Sequence, residues 1–154
     1  LAHEYPEFGG DYEVVHGTQL VAELVRAGKI KLTGSLSMDL AYHDPCYLGR
    51  TNDVYDAPRF LLKAIPGVRV REAELHRETS MCCGAGGGRM WLEEDQGERI
   101  NQTRFSQLEE SGTSDVAVAC PYCFSMLSDA QNELGREDAS AYDVIELVAK
   151  SLEG

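Results

Sequence analysis

The sequence predicts an α/β fold: a mainly parallel sheet flanked by helices, with a ligand site at the carboxyl ends of the strands. Three observations carry this. Short apolar segments of period two alternate with longer segments bearing helical stripes. Those helical segments are long enough for the right-handed crossovers that parallel neighbours require. Each group of cysteines also follows a strand-like segment, at the edge where open α/β sheets bind ligands.

Taken in order, residues 16–27 place Leu20, Val21, Leu24 and Val25 on one helical stripe, stopped by Gly28. Residues 35–43 alternate Leu36, Met38, Leu40 and Tyr42 with Ser37, Asp39 and Ala41, a strand pattern. Asp56-Ala57-Pro58 starts a helix whose apolar side is Leu61, Leu62 and Ile65, and Pro66-Gly67 ends it. Residues 68–75 alternate Val68 and Val70 with arginines, again a strand. Residues 89–110 read as mostly helix, with Met90, Trp91, Ile100, Phe105 and Leu108 offered to the core and Gly97 as a break; Glu93-Glu94-Asp95 reads as a solvated first turn. Residues 115–119 form a short buried strand, 123–134 a helix ended by Gly135, and 142–152 a last helix presenting Ile145, Val148 and Leu152.

The 154 residues are 43% hydrophobic and 26% charged, the composition of one globular domain that folds without disulfide staples. The formal net charge of −12 argues against nucleic acid as a partner, because such binding rests on Lys and Arg at phosphates. It argues equally against a polybasic membrane surface. The charge is uneven: residues 1–77 carry 11 acidic and 9 basic side chains, residues 78–154 carry 15 and 5. A solvated face or a docking face for a basic partner both fit that excess. No apolar run reaches the roughly 20 residues of a membrane helix, and no signal-like segment opens the chain. The chain starts at Leu1 rather than Met, so a piece of a longer protein is expected. Residues 1–29 repeat the order of features in 127–152, which makes residues 1–34 the tail of a preceding repeat or a linker helix and 35–154 the main domain.

Five cysteines, Cys46, Cys82, Cys83, Cys120 and Cys123, form the array C-x35-CC-x36-C-x2-C. An odd number cannot pair off within one chain, and without a secretory signal a reducing compartment and a metal or catalytic use are expected. Cys120-Pro121-Tyr122-Cys123 is locally identical to a glutaredoxin-type dithiol. That fold needs a cis-proline loop and further elements, whereas only 31 residues and no proline follow Cys123. Zinc would be satisfied by four thiolates and leaves one of the vicinal pair without a task. An iron–sulfur cluster accepts more than four, and adjacent sulfurs can reach neighbouring irons. Gly84-Ala85-Gly86-Gly87-Gly88 suits it, because backbone without Cβ atoms can approach sulfides and donate N–H groups. As a phosphate loop the run lacks Gly-Lys-Ser/Thr, and Arg89 breaks G-x-G-x-x-G.

HDPCYLGR at 43–50, CCGAGGGRMW at 82–91 and CPYC at 120–123 together resemble the cysteine-rich CCG domain of heterodisulfide-reductase-related iron–sulfur proteins. HEYPEFGG at 3–10 and Arg99-Ile100-Asn101 look like the large membrane-bound reductases among them, in which a membrane segment and a ferredoxin-type domain precede two CCG domains. The resemblance implies a non-cubane 4Fe–4S cluster held by Cys46, Cys82, Cys83, Cys120 and Cys123. It implies electron transfer in a quinone-linked oxidoreductase, with electron-transfer flavoprotein as a redox partner. It also implies a parent on the cytoplasmic side of the membrane, of which this piece is soluble. A disulfide-reducing module of heterodisulfide-reductase type and a zinc-stabilised interaction domain are the alternatives. Gly84, Gly86, Gly87, Arg89 and His43 are the expected cofactor-binding residues beside the cysteines. For His43 a backbone-bonded structural role and a role beside the cluster stay open. Arg50 and Arg89 can neutralise an anionic cluster or simply face solvent, and no residue is assigned a catalytic role.

Overall fold

The computed structural model describes residues 1–92 and 97–152 of the chain. Four strands, β1 (Met38–Tyr42), β2 (Val68–Arg71), β3 (Val116–Val118) and β4 (Ala141–Asp143), form one sheet in the order β2-β1-β3-β4. Every pair is parallel, with Leu40 opposite Val70, Ala41 opposite Val116 and Ala117 opposite Tyr142. The α/β class and the mainly parallel sheet are therefore as the sequence predicts.

Among the described residues five α-helices cover both faces: α1 (Gly17–Arg26), α2 (Asp56–Ala64), α3 (Ile100–Glu109), α4 (Pro121–Glu133) and α5 (Val144–Lys150). Strand parity sorts the core into two layers. Leu40, Tyr42, Ala117 and Ala119 pack with Ala22 of α1, Leu61 and Leu62 of α2, Ile65 just beyond it, and Val144, Leu147 and Val148 of α5. Ala41, Val116 and Val118 face the other way, against Phe105 and Leu108 of α3 and Leu127 and Ala130 of α4. Cys83 and Cys123 belong to this second layer. Because β1 and β3 are buried on both faces, their apolar residues run on rather than strictly alternate.

Several elements differ from the sequence reading. The first two strands are shorter than 35–43 and 68–75, ending at Tyr42 and Arg71. In α1 the buried line is Thr18 and Ala22 with Val21 and Val25 packed behind, and Leu20 points to solvent. Residues 89–110 break at Gly97 as expected, but the part before it, through Trp91, is 3-10 rather than α-helix. Gly87 and Gly88 adopt left-handed φ values of 65° and 78° inside a 3-10 segment, Gly86–Trp91, and Gly97 has φ 76°. Regular helix resumes at Ile100. Trp91 is 78% exposed rather than a core residue. Glu93, Glu94 and Asp95 lie outside the described residues.

The helix expected at 123–134 begins two residues earlier, with Pro121 in its first turn. The last one is divided: residues 141–143 pair with β3, and the Asp143 carboxylate then caps α5 by accepting from the Ile145 N–H at 2.7 Å. Its buried face is Val144, Leu147 and Val148, while Leu152 is exposed. A three-residue strand is too short to show a period, so the helical stripe that follows extends over it in the sequence pattern.

Candidate metal centre

Each cysteine is delivered by the segment leaving the carboxyl end of a strand. Cys46 lies four residues beyond β1, and Cys82 and Cys83 end the loop that follows β2. Cys120 is the N-cap of α4, two residues after β3, and Cys123 lies in that helix's first turn. All five line one cavity of about 570 Å³, shared with Gly86, Gly87, Gly88, Met90, Trp91 and Tyr122. Cys83 and Cys123 are buried and the other three half-buried. The spacing of the array is thus resolved into a single cluster of thiols.

Two hydrogen-bonded knots hold the loops. Asp44 receives both terminal nitrogens of Arg59, at 2.6 and 2.8 Å, and the backbone N–H of Arg77 at 2.7 Å. Arg59 in turn reaches Glu72 through Nε and a terminal nitrogen. Burial alone would lower the Arg59 pKa, but Asp44 and Glu72 override it and raise the value. Arg50 donates to the Ser80 carbonyl at 2.6 Å. Its guanidinium therefore fastens the Cys46 loop to the loop carrying Cys82, a role between the two sequence expectations for it.

The glycine run behaves as a backbone cradle at its first members. Gly84 N–H donates to the Cys82 sulfur at 3.3 Å, and a Cβ built on Gly86 would stand 3.7 Å from the same sulfur. Gly84 has φ 96°, and a Cβ there would meet Met126, Ile100 and the Asn101 backbone at 3.2–3.4 Å. At Gly87 and Gly88 nothing among the described residues lies within 4 Å of such an atom, and both line the cavity. Arg89 is an exposed member of the 3-10 segment beside this run.

The thiols are electrostatically unequal. Hydrogen bonds from Cys123, then from Cys82, hold the Cys83 thiol well below its ordinary value. Cys123 is pushed up, by Cys120 first and Cys83 second; Cys82 is pushed up by Cys83 and by burial. Cys120 is drawn down to about 6 by Cys123 and by the backbone N–H groups of Cys123 and Tyr122 at the start of α4. The set thus favours thiolates at Cys83 and Cys120, the form in which sulfur binds soft metals.

His43, 1% exposed, extends β1 by one residue through its N–H to the Ala117 carbonyl. Strand parity turns its ring to the Ala41 side, toward α3 and α4. One of its ring nitrogens, Cys83 Sγ and Cys123 Sγ all lie within 4.8 Å of one another. Burial lowers the His43 pKa against the opposing pull of Cys83, which favours the neutral ring. Nδ1 takes a hydrogen bond of 3.2 Å from Nε of Arg104, a residue sequence reasoning passed over. Arg104 lies on the buried α3 stripe Asn101, Arg104, Phe105 and Leu108, so a polar pair on an otherwise apolar line is the signal that could have found it.

These residues fit a thiolate-bound metal cluster. Five sulfurs share one cavity, a backbone N–H already addresses a sulfur, and a buried imidazole edge lies beside two more.

The family model of the CCG cysteine-rich domain matches residues 40–128. The chain is 50% identical over 153 residues to a probable iron-sulfur-binding oxidoreductase, FadF, of Bacillus subtilis, covering 99% of the chain and 22% of that protein. It is 44% identical over 161 residues to an EtfAB:quinone oxidoreductase of Syntrophomonas wolfei, with 99% and 22% covered. It is 40% identical over 141 residues to a component of the dihydromethanophenazine:CoB–CoM heterodisulfide reductase of Methanosarcina barkeri, with 92% and 34% covered. The chain therefore spans between about a fifth and a third of these relatives. No solved structure matches.

Proposed function

The chain belongs to the CCG cysteine-rich domain family, and from that premise we propose that it is the electron-transfer domain of a quinone-linked iron–sulfur oxidoreductase. The observation that carries this is the convergence of all five thiols on one cavity at the carboxyl edge of the sheet. In this reading Cys46, Cys82, Cys83, Cys120 and Cys123 hold a non-cubane 4Fe–4S cluster. Gly84, Gly86 and Gly87 form the backbone wall beside it, with His43 and Arg89 at its margin. The cluster, when bound, takes up and releases an electron. The protein's own contribution is to keep the sulfurs in register, to exclude water around Cys83 and Cys123, and to offer N–H donors to sulfur.

The name of the Syntrophomonas relative, an EtfAB:quinone oxidoreductase, supports electron-transfer flavoprotein as the redox partner and a quinone as the distant acceptor. The share of the relatives that is covered supports a larger parent; in this reading ferredoxin-type and further CCG domains lie upstream, and residues 1–34 are the tail of the preceding repeat or a linker helix. That parent is read as lying on the cytoplasmic side of a membrane. Among the described residues no helix is long and apolar enough to cross one.

A specific observation also favours zinc: His43, Cys83 and Cys123 already form a compact three-donor set. Metal and acid-labile sulfide analysis of anaerobically purified protein decides between the two. Iron with matching sulfide is the expected result; zinc without sulfide overturns the electron-transfer reading. Adding a thiol to the oxidised cluster then separates relay from disulfide chemistry. An unchanged EPR spectrum is expected, and a new thiol-dependent signal would favour a disulfide-reducing module.

A further inference from the structure

Arg104 is a fully buried guanidinium whose acceptors among the described residues are all neutral: His43 Nδ1 at 3.2 Å, the Leu75 carbonyl at 3.0 Å and the Gln107 side-chain oxygen at 3.1 Å. One of its terminal nitrogens has no partner among the described residues. Asp44, the carboxylate that acts most strongly on it, already spends both oxygens on Arg59 and one also on the Arg77 backbone. A buried cation in this position is costly unless a negative charge lies close by. Burial draws its pKa down to about 10, against the opposing pull of Asp44 and of the Cys123 and Cys83 sulfurs.

The bond to Nδ1 has a second consequence. A neutral imidazole that accepts at Nδ1 carries its proton on Nε2. His43 Nε2 is buried and has no hydrogen-bond partner among the described residues, while the Cys83 and Cys123 sulfurs stand beside the ring. An N–H without a partner among the described residues thus stands beside the two sulfurs, and the guanidinium that fixes it feels their charge together with that of Asp44.

We propose that Arg104 is a positioning residue for the cysteine site: it fixes the His43 tautomer so that Nε2–H is presented to the Cys83 and Cys123 sulfurs, and its charge makes the site selective for an anionic occupant. The proposal rests on the cluster reading above. With a cluster bound, the N–H donor and the positive charge both favour the more negative, reduced state, so the pair raises the reduction potential.

The test uses the full cluster-loaded protein, purified anaerobically, as wild type, Arg104→Lys, Arg104→Gln, His43→Gln and His43→Phe. Iron and sulfide are counted, and potentials are read by EPR-monitored titration. Arg104→Gln and His43→Phe are expected to shift the potential downward, with Arg104→Lys and His43→Gln lying nearer wild type. Loss of iron in Arg104→Gln with retention in Arg104→Lys also supports the proposal, because charge is then what the site requires. In protein carrying ¹⁵N-histidine, HYSCORE of the reduced cluster should show a nitrogen coupling that His43→Phe abolishes.

Full iron with unmoved potentials in Arg104→Gln and His43→Phe overturns the proposal and leaves the cluster reading intact. Equal loss of iron in the lysine and glutamine variants also overturns it, showing Arg104 as packing alone. Wild-type protein without iron or sulfide overturns the cluster reading, and this inference falls with it.

Discussion

Arg59 grips Asp44 through two parallel N–H···O bonds, at 2.6 and 2.8 Å, two residues before Cys46. Both side chains are almost wholly buried, at 4% and 3% exposure. Asp44 also accepts from the Arg77 backbone, so one carboxylate holds the β1 loop, helix α2 and the loop leading to Cys82. The pair sets where two of the three cysteine segments begin.

Removing one partner leaves a buried charge unmatched. Arg59→Met is expected to cost about 3–5 kcal/mol, the range for breaking a buried ion pair. Equilibrium denaturation in urea measures it. A loss below about 1 kcal/mol, the worth of an exposed pair, would show that water reaches Asp44.

The neighbouring Cys123 and Cys82 side chains hold the Cys83 thiol well below its ordinary value. Cys83→Ala is expected to lose or convert the cluster, read as iron content and EPR spectrum. Unchanged iron and an unchanged spectrum would show that five-thiol ligation is wrong.

Gly84 combines φ 96° with three close neighbours and an N–H directed at Cys82. Gly84→Ala is expected to destabilise the fold by about 1–3 kcal/mol, the usual cost of a non-glycine residue in such backbone. It should also lower metal occupancy, because the loop must shift away from Met126 and Asn101. Retained stability and occupancy would mean that the loop relaxes without moving the cysteine pair.

His16 caps α1, its Nδ1 accepting from the Thr18 N–H at 3.2 Å, which requires an unprotonated nitrogen. Burial lowers its pKa from the ordinary 6.5, although Asp143 and the Ala119 backbone pull the other way. Between that lowered value and 6.5 the unfolded chain binds more protons than the folded one. Stability is therefore complete above 6.5 and declines as pH falls through the folded value. His16→Asn should keep the cap and remove this part of the acid slope. Melting temperatures of both proteins across pH 4.5–7.5 check it, and identical slopes would count against the cap's titration.

Much of the site was legible because its signals are local. Cysteine type, the glycine run and the strand-then-helix order are all written within short windows, and the fold class follows from them. Leu61, Leu62, Phe105 and Leu108 are core residues as their spacing predicts. What escaped depended on neighbours distant in the chain. Trp91 has a core-like spacing, yet the left-handed glycines before it turn the chain out to the cavity rim. Residues 141–143 become a strand only because the edge of β3 is open to pair with them.

By itself the sequence determined the class of fold, the five sulfurs and the strand ends that present them, since periodicity and spacing are properties of adjacent residues. Only the tertiary structure decided that these sulfurs share one cavity and which groups face them from behind. Arg104 meets His43 across 61 residues of chain, from a helix whose buried stripe is polar just where it passes the cysteines. A polar residue on a buried stripe looks like a solvent-facing one until packing shows which side of the helix the sheet covers.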